Sequence, residues 1–181
     1  MLKKSTKVAL GGMVAALSIV LMFLTGILPF LTYAVPCMAG FLLVAVVIEC
    51  GYQWAFLVYL AVSVLSLLLA PDKQAAMVFA FIGYYPIVKG LVEQNFASKK
   101  LLSWAIKFLV FNLAMLVVYW LLIHVLQMPD VMTEMGSLGR YTGLVTLACG
   151  NVVFVVFDIA LSRVVDAYVQ WFRPRFLRKL S

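Results

Sequence analysis

From Val8 to Ile48 the chain carries no charged residue, and a bilayer crossing needs only about 20 apolar residues. Hydrocarbon offers no water to an unpaired amide or carbonyl, so such a run must close its hydrogen bonds internally, as helices or a sealed barrel do. Here the apolar residues come as continuous runs rather than as the period-two alternation of a barrel strand, which leaves helices. The rest of the chain repeats the pattern. Of 181 residues, 66% are hydrophobic and 12% charged, against about 45–50% and 25% in a soluble domain. We read an all-α, polytopic membrane protein. No internal repeat, low-complexity segment or soluble domain stands out, so 1–181 is expected to form a single integral membrane domain.

Six crossings are expected, over about 7–28, 36–50, 54–70, 74–92, 102–126 and 141–165. Pro29 and Pro36 bracket an apolar but helix-hostile connection, PFLTYAVP, because proline disfavours helix at the residue before it. PDK at 71–73 stops the third helix, and Gly83 with Pro86 should kink the fourth. EQNFASKK (93–100) and QMPDVMTEMGSLGR (127–140) are polar turns. Six crossings put both termini on one side. That side receives Lys3, Lys4, Lys7, Lys99, Lys100, Arg173, Arg175, Arg178 and Lys179; the other receives Lys73 and Arg140. Basic loops stay in the cytoplasm, so both termini are expected there, in a multi-pass plasma-membrane protein. The net charge of +7 is thereby explained without nucleic acid, and Trp171 and Phe172 suit the interface beside anionic lipid. The N-terminal lysines and apolar stretch imitate a signal peptide, but the stretch is too long and lacks a small-residue cleavage site. It reads as a retained first helix.

Chemistry is mostly excluded. There is no phosphate-binding GxxxxGK[ST] loop, no HExxH and no GxSxG, and His124 is the only histidine. Neither enzyme activity, a metal nor a cofactor is expected. Cys37, Cys50 and Cys149 are widely spaced in apolar runs and read as packing thiols. Charge at membrane depth marks function when it occurs, and Asp158, Arg163 and Lys89 are the candidates. Lys89 with Glu93 four residues on reads as a surface ion pair. Asp158, whose face continues through Ser162 and Asp166, reads as an interhelical or cytoplasmic contact, and Arg163 can reach the headgroups.

Polar and aromatic residues gather towards the non-cytoplasmic face: Tyr33, Tyr84, Tyr85, Asn112, Tyr119, His124, Arg140 and Asn151. Apolar walls with aromatic surfaces and sparse polar anchors suit an enclosed small-molecule pocket. The same residues also suit an interfacial aromatic belt and interhelical amide bonds.

VALGGMVAALS (8–18) carries a second signal. At about 100° per residue, Ala9, Gly11, Gly12, Ala15, Ala16 and Ser18 share one half of the helix, while Leu10, Met13, Val14, Leu17 and Val20 share the other. Small residues let a second helix approach at backbone distance; that helix could belong to this chain or to a partner.

With Gly11–Ala15 and Gly12–Ala16 at small-xxx-small spacing, the chain resembles the substrate-binding S component of energy-coupling-factor transporters. Glycine replaces alanine at the first position of each pair. The resemblance implies a high-affinity binding subunit for a vitamin or similar micronutrient. It further implies a shared transmembrane coupling subunit, packed on Gly11, Gly12, Ala15 and Ala16, and two cytoplasmic ATPases. PFLTYAVP would be a lid over the ligand, with Tyr33 its contact. Two other readings stay open: a non-transporting membrane scaffold similar in size to the rod-shape proteins, and a small stand-alone carrier.

Overall fold

The structure, a computed structural model, describes residues 3–28, 31–96, 99–124 and 142–173. Among these, no strand occurs and the helices are α1 (Lys4–Thr25), α2 (Ala34–Cys50), α3 (Tyr52–Leu69), α4 (Lys73–Ile82), α5 (Tyr85–Asn95), α6 (Lys100–His124) and α7 (Thr142–Ala167). A turn of π-helix, Tyr168–Phe172, follows α7. Four segments are long and apolar enough to cross a membrane: Lys4–Thr25, Tyr52–Leu69, Lys73–Asn95 and Leu101–Val118; α2 is a shorter apolar helix. By its own contacts the chain divides into two compact units, Met1–Asn95 with Arg163–Ser181, and Phe96–Ser162.

The expected helix boundaries shift for local reasons. α2 begins at Ala34 rather than Pro36, because the first-turn amides of a helix have no intrahelical acceptor and a proline there forfeits nothing. The expected kink in the fourth crossing is a full interruption at Gly83 and Tyr84. Pro86 offers no amide to the Ile82 carbonyl and its ring crowds it. A side chain at Gly83 would strike both the Phe79 carbonyl and its ring, so glycine is what lets that buried ring lie against the break.

In the first unit α1 buries Gly11, Val14, Ser18, Met22 and Thr25, positions three and four apart that form one helix face. These meet Leu43, Val46, Val58, Val62, Phe79 and Ile87 in the core. The other faces of α1 and α3 remain exposed and strongly apolar; this is the pattern of helices solvated by lipid rather than by water. α2 joins α3 through Gly51 alone, at φ 92, a left-handed conformation that glycine adopts without penalty. Its amide closes on the Val46 and Val47 carbonyls, and Lys7 Nζ donates to the Cys50 carbonyl at 3.3 Å. Thus α1 helps satisfy the end of α2.

The far end of the first unit is tied in the same way. Lys73 Nζ donates to the Leu67 and Leu68 carbonyls at 2.9 and 3.2 Å, serving acceptors that the end of α3 leaves without an intrahelical donor. A Cβ at Gly26 would overlap the Pro71 ring, so the ends of α1 and α3 approach at backbone distance.

Candidate functional site

Asp72 organises the polar cluster in the first unit. One carboxylate oxygen accepts from the Gln74 and Ala75 amides at 2.9 and 3.1 Å, capping α4. The other accepts from Thr32 Oγ1 at 2.8 Å, which fastens the connection between α1 and α2 to the start of α4. Tyr33, the next residue, is 69% exposed, so the latch holds the backbone while leaving that ring free. Below it, Tyr59 Oη donates to the Ala80 carbonyl at 2.6 Å, and its ring lies edge-on to Tyr84 with centroids 6.4 Å apart. Tyr85 is buried. The hydroxyls of Ser18 on α1 and Ser66 on α3 are buried with no hydrogen-bond partner among the described residues. A buried hydroxyl left without a partner forfeits about 1–3 kcal/mol.

At the opposite end of this unit Glu49, on the last turn of α2, is 7% exposed and lies 3.0 Å from Arg173 Nε, beyond the π turn. Glu49 Oε1 receives no directed hydrogen bond among the described residues, so the contact with Arg173 is ionic. Burial pushes the Tyr168 phenol up to about 12, with the Glu49 charge adding to the rise and Arg173 opposing it. The expected Lys89–Glu93 pair forms at 3.0 Å, but as a correction it is not a surface pair: Lys89 is 3% exposed and only Glu93, at 48%, reaches out. The lysine stem lies inside because the α5 face that carries it also buries Tyr85, Pro86 and Val92.

The second unit holds a polar seam between α6 and α7. Asn112 and Asn151 exchange side-chain hydrogen bonds at 3.0 and 3.1 Å. Each amide nitrogen also donates to its own helix, at the Phe108 and Leu147 carbonyls. Both donors of both amides are therefore engaged. Phe111 stacks on Phe154 with centroids 4.4 Å apart. Lys107 Nζ meets Asp158 at 3.3 Å, each side chain 4% exposed, and lies 5.3 Å from the Trp104 ring. The interhelical contact expected of Asp158 is present, and its partner is a lysine that sequence reasoning passed over. The signal was there: a lysine two turns inside an apolar helix, with one carboxylate at matching depth on another.

The proposed ligand residues thus fall in both units: Tyr33, Tyr84 and Tyr85 in the first, Asn112 and Asn151 joined in the second. Tyr119 and His124 lie on α6 with their side chains outside the described residues, as is all of Arg140. The small face of α1 is split. Gly11 is buried, and a Cβ there would meet Val58 Cγ2 at 3.1 Å, whereas nothing lies within 4 Å of one at Gly12. Ala15 is half-buried with Gly11; Ala16 is exposed with Gly12. Rotation by about 100° per residue explains why adjacent small residues part in this way. No group of three metal-ligating side chains occurs among the described residues.

No family model matches the chain, and neither a curated protein nor a solved structure matches it.

Proposed function

We propose that this chain is the membrane-embedded substrate-binding subunit of an energy-coupling-factor transporter, taking up a vitamin or similar micronutrient across the plasma membrane. Both termini of a six-crossing chain face the cytoplasm in this reading, and energy comes from a coupling subunit with two ATPases. The observation that carries it is the open ridge of Ala9, Gly12 and Ala16 on α1, exposed and bare at Gly12, where a partner helix can reach backbone distance. Gly11 and Ala15 turn towards the chain's own core and serve α3. The polar interior of the first unit supports a ligand site: Tyr84 beside Tyr59, the buried hydroxyls of Ser18 and Ser66, without a hydrogen-bond partner among the described residues, and exposed Tyr33 on a connection latched to Asp72.

Gentle purification from the native membrane tests this. The wild type should bring down an ATPase pair, and Gly12→Leu with Ala16→Leu should lose it while retaining a bound small molecule by native mass spectrometry. Gly11→Leu is the control, since it strikes Val58 and should destabilise the chain itself. Co-purification of envelope-assembly proteins would replace this reading with the scaffold, and purification of the chain with itself alone would replace it with the carrier.

A further inference from the structure

α6 and α7 meet through side chains in antiparallel order: Lys107 with Asp158, Phe111 with Phe154, Asn112 with Asn151, and Met115 Cε at 3.0 Å from a Cβ built on Gly150. Residue numbers rise along one helix as they fall along the other. Most other residues of both helices are apolar, and apolar faces in lipid gain almost as much from one register as from the next, because hydrocarbon solvates whatever is left uncovered. Something must therefore discriminate against a slip of one turn, about 5.4 Å.

We propose that Lys107 and Asp158 are positioning residues that set the register of α6 against α7. A slip of four residues one way sets Lys107 against Phe154 and Asp158 against Ser103. The other way sets Lys107 against Ser162 and Asp158 against Phe111. Either outcome strands two charges in a low-dielectric interior, the costliest state available to ionised groups. The asparagine pair discriminates less, since each amide already donates to its own helix and carries both donor and acceptor for a new neighbour. The aromatic stack discriminates least. A buried ion pair is a poor source of stability against an apolar replacement and is best attested as a register device; the Lys107–Asp158 pair fits that use. The register fixes the level of the residues that lie beyond the ion pair on both helices, among them Tyr119, His124 and Asn151. This last consequence rests on the binding-subunit reading; the register does not.

The test is disulfide cross-linking of the full chain in membranes, with Cys37, Cys50 and Cys149 replaced by alanine. Met115→Cys is paired with Gly150→Cys for the native register, and with Thr146→Cys or Phe154→Cys for one turn either way. Lys107→Met/Asp158→Leu removes both charges at once, so no uncompensated ion prevents insertion. It should raise the ratio of slipped to native cross-link at least about tenfold. Lys107→Asp/Asp158→Lys should return the ratio to the wild-type value, which a residue needed only for packing volume would not do. A single native cross-link in the apolar double variant would overturn the proposal, as would a charge swap that leaves the slipped products in place. No ligand is needed for this readout, so its failure and that of the co-purification are separate.

Discussion

Asp72→Ala should destabilise the first unit at its polar end. Two losses combine. The cap on the Gln74 and Ala75 amides contributes about 0.5–2 kcal/mol in comparable helices. The bond from Thr32 Oγ1, at 2.8 Å, ends on a carboxylate, a class worth about 1.5–3 kcal/mol. Asp72 is only half-buried, so water replaces part of what is lost, and about 2–3 kcal/mol is the expected sum. Asp72→Asn separates the parts: its amide oxygen still caps α4 and its nitrogen can donate to Thr32, so less than about 1 kcal/mol should be lost. Thr32→Val removes the latch alone. Because Thr32→Val and Asp72→Ala break the same bond, the double variant should fall short of the summed losses by about 1–2 kcal/mol. Reversible unfolding in mixed detergent micelles, followed by tryptophan fluorescence, measures the four variants against the wild type. Strict additivity across the cycle would refute the latch, and an Asp72→Asn loss equal to that of Asp72→Ala would refute the cap.

The glycines give opposite expectations. Gly26→Ala meets the Pro71 ring and should lose about 1–3 kcal/mol, whereas Gly12→Ala meets nothing and should leave the isolated chain as stable or up to about 1 kcal/mol more so; the same unfolding assay reads both. Asn151→Ala frees the Asn112 amide from its partner and should cost about 0.6–2 kcal/mol, the range for interhelical bonds in membranes, with Asn112→Ala adding little on top. In an ultraviolet titration, the difference between wild type and Tyr168→Phe should show a phenol ionising near pH 12 rather than 10. The sign follows: the folded phenol keeps its proton when the unfolded one has lost it, so this contribution is complete below about pH 10 and is lost as pH rises towards 12. A difference midpoint at 10 would refute the burial of that ring.

Which segments become helix was legible in the sequence, because the reason is local. A long charge-free run must satisfy its backbone within itself, and Gly26, Gly51, Pro71, Gly83 and Pro86 punctuate the runs close to where helices end in the structure. Which face meets which neighbour was not. In a soluble helix the apolar stripe announces the core, but α2 is apolar on every side before Glu49 in its last turn and lipid accepts any face, so periodicity says little about rotation. That is why Gly11 and Gly12 look alike in sequence and differ in place, and why Lys107 was overlooked beside Asp158, which is distant in the chain. The asparagines were visible as polar residues, but only the tertiary structure decided that their donors go to each other and to their own helices. Hydropathy is a property of each residue alone, whereas pairing depends on depth, rotation and register between helices. Those three quantities are set by the few polar and small side chains for which one neighbour differs from another.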